Sequence, residues 1–308
     1  MTCIIGKSIL VLGGGGMVGA AVCQELAKYS PARIIVASRH EEKARRTVAE
    51  LAADHSSLSD IFIPVWGDVF LRAEWPSEIV SARDETHNDR ERRTRVAADI
   101  LAPLDDEILH SSLLFQLING TAEGLGGSQA EIVIDCMNTA TALSYRDIYS
   151  LAHRLTELAE SEKEDIDWVD EIDALISALP VRQLVRHVQI LYGAMREAGT
   201  QAYMKIGTSG TGGMGFNIPY THGEEKPSRL LLSKAALAGA QTMLTFLMAR
   251  TPDAPPFVRE IKPAALIGWR EISHGPVKKG GATIPLFDCP VAAAISMALF
   301  RLDVVRRW

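Results

Sequence analysis

Residues 9 to 19 read Ile-Leu-Val-Leu-Gly-Gly-Gly-Gly-Met-Val-Gly, and no other segment of this chain restricts its fold as tightly. An apolar strand that breaks into clustered glycines and reopens as a helix gathers main-chain N–H groups at the positive end of that helix, which is a site for a pyrophosphate. Gly13 gives the tight turn after the strand. Gly16 lets amides approach phosphate oxygens with no Cβ between them, and Gly19 lets the helix lie close to the sheet. Two spacings fit, Gly14-x-Gly16-x-x-Gly19 and Gly13-x-x-Gly16-x-x-Gly19. Met17 and Val18 open the helix, which is expected to reach about Tyr29. A second strand, Arg33-Ile-Ile-Val-Ala-Ser-Arg39, follows on schedule. That order of strand, glycine turn, helix and strand makes a dinucleotide site a better reading than a bare turn.

With 308 residues and 47% apolar content, the chain can bury a large core as one enlarged domain or two small ones. Its formal charge of -6 speaks against a nucleic-acid partner, which would need a basic face. Cys3, Cys23, Cys136 and Cys289 lie far apart with no C-x-x-C spacing, so neither a zinc site nor a disulfide framework is expected. No window nears the roughly 20 uninterrupted apolar residues of a membrane span, and no cleaved signal is evident. The expected setting is the cytoplasm, without membrane attachment.

Further along, Glu41 to about Ala53 reads as a helix and Ile61-Phe-Ile-Pro-Val-Trp-Gly-Asp68 as a third strand. Residues 71–127 differ in character. The stretch Ser81 to Arg95 is dense in both charges, as a solvated helix would be, and the whole segment reads as an insertion or a cover. Glu131 to Met137 is a fourth strand leading into Asn138-Thr-Ala-Thr141. An acidic helical stretch, Glu157 to Ile176, forms a second elaboration within about residues 150–180, before a long helix from Val181 to Ala198. A fifth strand, Ala202 to Ser209, runs into the glycine-rich loop Gly210 to Gly215, followed by a helix from about Ser228 to Arg250 and a sixth strand, Val258 to Ile267. Alternating strands and helices imply an α/β fold, a doubly wound parallel sheet with helical insertions. Residues 1–268 would form this domain, and 269–308 a small C-terminal cap or a truncated substrate lobe.

The order of these signals resembles the short-chain dehydrogenase/reductase superfamily, a Rossmann-fold group, most nearly its extended or atypical branches, over roughly residues 8 to 268. Gly67-Asp68-Val69 resembles the adenine-contacting acidic position after the third strand. Asn138-Thr139-Ala140 looks like the Asn-Ala-Gly turn after the fourth, and Thr208-Ser209 resembles the catalytic serine position after the fifth. Ser233-Lys234-Ala235-Ala236 is similar to the second half of the Tyr-x-x-x-Lys helix motif, and Ile261-Lys-Pro263-Ala to the turn after the sixth strand. One departure stands out: the tyrosine expected four residues before Lys234 is Leu230. In that superfamily the phenol handles the substrate proton, while the lysine one turn away binds the nicotinamide ribose and lowers the phenol's pKa. Leucine does neither proton step, and the helical asparagine of the superfamily finds no counterpart in Leu184 to Gly193.

The resemblance therefore implies Ser209 facing substrate, Lys234 on the ribose (or snorkelling at the surface), and Pro263 beside the cofactor. Tyr220 is the nearest phenol downstream of Ser209, and it is the candidate for the missing acid/base group or for a loop anchor. His222 is a second loop candidate, and His187 on the long helix reads as a packing residue. Where an acidic residue would bind the ribose 2′-hydroxyl of NAD stand Ser38 and Arg39, a hydroxyl and a guanidinium suited to the 2′-phosphate of NADP, though Arg39 stacked on adenine would admit NAD as well. The expected activity is NADP-dependent carbonyl reduction or alcohol oxidation on a small-molecule substrate. Two alternatives are a redox-inactive nucleotide-binding sensor or scaffold, and an epimerase, dehydratase or lyase with tightly bound NAD(P). The resemblance also implies a homodimer built on the long helices Val181 to Ala198 and Ser228 to Arg250.

Overall fold

The apolar run at the N-terminus becomes strand β1 (Ser8–Leu12), buried along its whole length. In a computed structural model, residues 4–75, 90–144, 148–161, 165–207, 229–261, 278–279 and 282–283 are described. Helix α1 (Met17–Ala27) follows, then β2 (Arg33–Ser38), α2 (Glu41–Asp54), a 3-10 turn (Ser56–Ile61) and β3 (Phe62–Trp66). Next come α3 (Arg90–Leu101), α4 (Asp106–Ser111), α5 (Leu113–Asn119), β4 (Ile132–Asp135), α6 (Thr139–Ser144), α7 (Ile148–Glu160), α8 (Trp168–Ser177) and α9 (Pro180–Glu197). Strand β5 (Ala202–Ile206), α10 (Arg229–Met248) and β6 (Phe257–Ile261) complete the sheet. The strand order is β3-β2-β1-β4-β5-β6 and every pairing is parallel. This is the doubly wound order of the Rossmann fold, which places ligands beyond the carboxyl ends of the strands, where the order reverses beside β1.

Alternation along each strand splits the core in two. Ile9, Val11, Ile34, Val36, Ile132 and Ile134 share one layer with Cys23 and Leu26 of α1 and Leu51 of α2. Leu10, Leu12, Ile35, Val133 and Tyr203 share the other with side chains of α5, α9 and α10. Near-continuous apolar strands are what a sheet covered on both faces requires, each buried aliphatic side chain contributing about 1.5–3 kcal/mol. Because β4 and β5 are parallel, α9 must run back from the carboxyl edge of the sheet to its amino edge. Pro180 opens that helix at a position where its missing N–H is not needed.

The segment after β3, expected as an insertion or a cover, contributes to this core. In α5 every residue but Gln116 is buried, and Gly120 ends the helix at φ 72, where a Cβ would lie 2.3 Å from the Ser128 carbonyl oxygen. The charge-dense stretch is described from Arg90 onward, and it is not simply solvated. Arg93 is buried, its Nε 2.9 Å from Asp170 Oδ1 on α8; Thr94 Oγ1 donates to Asp173 at 2.8 Å, and Arg90 lies 2.6 Å from Asp167. The start of α3 is thus matched to the acidic start of α8.

The chain divides into two units, Met1–Ala265 and Leu266–Trp308. Among the described residues of the second, strands β7 (Lys278–Lys279) and β8 (Ala282–Thr283) form a short antiparallel ladder. Among the described residues no helix is long and apolar enough to cross a membrane, and no cluster of His, Cys, Asp and Glu could hold a metal ion.

Candidate cofactor site

Strand β1 delivers the chain into Gly13, which turns at φ 75. The Gly14 amide donates to Ala37 O at 2.8 Å, which ties the loop to the end of β2, and a Cβ on Gly14 would sit 2.8 Å from Val36 Cγ1. Gly16 donates to Gly13 O at 2.9 Å and forms the N-cap of α1 with no side chain to satisfy the first-turn amides. On Gly19 a Cβ would fall 2.2 Å from Gly13 O and 2.7 Å from Gly14 Cα. The turn at Gly13, the cap at Gly16 and the contact at Gly19 match the spacing Gly13-x-x-Gly16-x-x-Gly19, and Gly14 packs against β2. Met17 and Val18 are 91% and 51% exposed, an unusual place for two large apolar side chains.

Beside this loop lies the end of β2. A Cβ on Gly15 would meet Ser38 Oγ at 2.8 Å and Lys43 Cγ at 3.2 Å, so a hydroxyl and a lysine stem flank the glycines. Lys43, on α2, was not singled out by the sequence pattern. Arg39 is half exposed, its Nη2 3.7 Å from Asp68 Oδ2 at the end of the neighbouring β3. Asp68 accepts from the Phe70 amide at 2.9 Å, and Val69 is buried behind it. Gly13, Gly16, Met17, Val18, Gly19, Ser38, Arg39, Asp68 and Val69 therefore lie along the carboxyl ends of three adjacent strands.

Beyond β4 the corner carries Asn138, exposed, and Thr139 and Ala140, both buried. Under it sits an ion pair that the sequence reading missed. Lys205 of β5 is 1% exposed and Asp135 of β4 is 0% exposed, with Lys205 Nζ 2.9 Å from Asp135 Oδ1. The same ammonium donates to Met137 O at 2.7 Å and to Thr139 Oγ1 at 3.3 Å. Asp135 also accepts from the Met137 amide at 2.9 Å and the Tyr203 hydroxyl at 3.1 Å. Burial and the Asp135 charge raise the Tyr203 pKa well above its ordinary value, so the phenol stays a donor. The Cys136 thiol is pushed up to about 12, by burial and then by Asp135. A signal was available: Lys205 and Asp135 are charged residues in otherwise apolar parallel strands, and they are register partners.

Near the same carboxyl edge is His187 of α9. It is buried against Phe70, with ring centroids 4.7 Å apart, and neither ring nitrogen has a hydrogen-bond partner among the described residues. Burial lowers its pKa to about 4, with Asp135 opposing and Lys205 adding to the shift. The imidazole is neutral at physiological pH.

Lys234 is buried on α10, one turn after Leu230, which differs from a lysine snorkelling at the surface. Its helix packs against α6, which Thr139 opens. Ser209, Tyr220, His222, the loop Gly210 to Gly215 and Pro263 lie outside the described residues, as does the Leu230 side chain.

A family model described as a polysaccharide biosynthesis protein matches residues 9–81. No curated protein sequence matches the chain. Among solved structures, Pen from Bacillus thuringiensis is similar at 10% identity and a TM-score of 0.43, over 84% of this chain and 51% of that one. The chain thus spans about half the length of Pen. A short-chain dehydrogenase/reductase from Serratia marcescens matches at 14% identity and 0.43, over 85% and 75%. A short-chain dehydrogenase from Burkholderia cenocepacia, in complex with NADP, matches at 12% and 0.36, over 85% and 72%. Likenesses this distant add nothing to what the strand order already establishes. On its own geometry, the chain is a Rossmann-fold protein, with a six-stranded parallel sheet in the doubly wound order and a glycine turn after its first strand.

Proposed function

We propose that the chain is an NADP-dependent oxidoreductase of the short-chain dehydrogenase/reductase type, reducing a carbonyl or oxidising an alcohol on a small organic substrate. The observation that carries this is the glycine turn. Gly13, Gly16 and Gly19 have no room or no need for a Cβ, and the uncapped start of α1 opens beside Ser38, Arg39 and Lys43. The residues present fit a dinucleotide. Gly16, Met17 and Val18 would meet the pyrophosphate, Ser38, Arg39 and Lys43 a ribose 2′-phosphate, Asp68 and Val69 the adenine, and Asn138, Thr139, Ala140, Lys234 and Pro263 the nicotinamide half. A bound nicotinamide supplies two-electron chemistry at a carbon–oxygen bond.

This chain must itself move the proton at the substrate oxygen. Leu230 cannot, and we assign that step to Tyr220, with Ser209 holding the oxygen by hydrogen bond. Lys234, buried beside the Thr139 helix, would hold the ribose hydroxyls. For association we keep the homodimer, and rest it on α10, where Met243, Phe246 and Leu247 are exposed. Helix α9 spends ten buried positions inside its own subunit. The cytoplasm remains the setting that suits this chemistry.

Leu230 favours one further reading, a nucleotide-binding protein without redox turnover. The match over residues 9–81 lies inside the nucleotide-binding half and speaks for the ligand, not the substrate. Calorimetry with NADP and NAD, followed by NADPH oxidation against a panel of aldehydes and ketones, separates the two. Binding with turnover that Tyr220→Phe lowers by orders of magnitude is the expected result. Binding without turnover on any member leaves the sensor reading, and no heat from either nucleotide defeats both.

A further inference from the structure

The β4–α6 corner is held from below by one ammonium group. Lys205 Nζ has three protons and three acceptors within reach: Asp135 Oδ1, Met137 O and Thr139 Oγ1. These acceptors fall at every second residue of the corner, so a single buried cation fixes its path from the end of the strand into the first residue of the helix. The carboxylate reinforces this by accepting the Met137 amide. Directly across stands Gly13, where a Cβ would lie 3.1 Å from Met137 N and 3.2 Å from Cys136 C. Backbone meets backbone there, with no side chain to absorb a shift, so the position of the corner determines the position of the glycine turn.

We infer that Lys205 is a positioning residue for the nucleotide site: by tying the Met137 carbonyl and the Thr139 hydroxyl to Asp135, it sets the gap between the β4–α6 corner and the Gly13–Gly16 turn. This rests on the dinucleotide reading of that turn. The pair lies on the sheet face packed by α5, α9 and α10, so no solvent competes with it, and a strand built from Ala202, Tyr203, Met204 and Ile206 has no packing use for a lysine.

A single Lys205→Met change would strand the Asp135 carboxylate and endanger folding, so the test uses Lys205→Met with Asp135→Asn. The asparagine change keeps an oxygen for the Met137 amide and a hydrogen-bonding partner for Tyr203, while the Met137 carbonyl and Thr139 hydroxyl lose their donor. Hydrogen exchange on the nucleotide-free protein should quicken at least tenfold at residues 137–140 and 14–16 and stay unchanged in β2 and α2. NADP affinity should fall at least tenfold at a melting temperature near that of the parent. As comparator, Arg93→Met breaks an ion pair between α3 and α8, which carry no cradle residue, and should lower the melting temperature with affinity intact. Unchanged exchange at the corner and turn overturns the inference, and so does faster exchange with unchanged NADP affinity. Should the parent protein bind no nucleotide, the dinucleotide reading fails, and with it the role assigned to Lys205, even where the exchange result confirms the tie itself.

Discussion

Two glycines one helical turn apart offer the sharpest test of the site: Gly16→Ala and Gly19→Ala should fail in different ways. At Gly19 the added methyl would stand 2.2 Å from Gly13 O, about 1 Å inside an ordinary carbon–oxygen approach of roughly 3.3 Å. Its neighbours are main-chain atoms, so the helix or the turn must move. Overpacking of this kind costs about 3 kcal/mol, from which the gain of alanine over glycine in a helix, about 1 kcal/mol, is subtracted. The remaining ~2 kcal/mol corresponds to a fall in melting temperature of roughly 4–8 °C for a domain of this size. Gly16 is different. Its φ of -81 suits any residue, and the only close atom is Gly13 O at 3.1 Å. The structural cost is that of a poorer N-cap, about 1 kcal/mol or less. A methyl there would, however, stand between the first-turn amides and an approaching phosphate, and NADP affinity should drop at least tenfold, about 1.4 kcal/mol. Melting without nucleotide and calorimetry with it read the two effects separately. Wild-type affinity in Gly16→Ala would refute the placement of the pyrophosphate over α1. A Gly19→Ala protein that melts with the parent would refute the packing argument.

Three further outcomes follow from the buried polar groups. His187 titrates near 4 when folded against an ordinary value of 6.5, so between those values the native state binds fewer protons than the unfolded chain, and stability rises with pH. Lowering the pH from 7 to 5 should therefore remove about 2 kcal/mol through this residue, and urea unfolding of His187→Leu should show that loss abolished; an unchanged difference would clear His187 of it. Arg93→Met leaves the Asp170 carboxylate half-buried without its guanidinium and should cost about 3 kcal/mol, read as a lower denaturant midpoint; a change under about 0.5 kcal/mol would class the pair with surface bridges. Cys23 and Cys136, both pushed up to about 12 mainly by burial, should react slowly with alkylating agents at neutral pH, and rapid labelling of the buried Cys23 in native protein would contradict its placement.

What the sequence made legible was local. The run Ile9–Leu12, the four glycines and the strand from Arg33 each declare their conformation within a few residues, and the parallel order follows because each strand is separated from the next by helix. Partners distant in sequence were a different matter. Arg90, Arg93 and Thr94 look like a solvated face because their acceptors, Asp167, Asp170 and Asp173, are nearly eighty residues away by the separation of 77 between Arg93 and Asp170. Lys205 and Asp135, 70 residues apart in number, look like two strand irregularities until the register between β4 and β5 sets them side by side. Lys234 could be assigned to a helix but not to a depth, since its neighbours Leu230, Leu231 and Ala235 give no single apolar face. The loop carrying Ser209 and Tyr220 has neither apolar period nor turn chemistry specific enough to orient a side chain, so sequence alone could nominate those residues and not aim them. A buried ion pair in such a sheet is costly unless every acceptor and donor is matched. In this protein all three Lys205 protons are matched at one corner, and that corner abuts the glycine turn, which is a physical reason for a lysine to persist where a leucine would pack at lower desolvation cost.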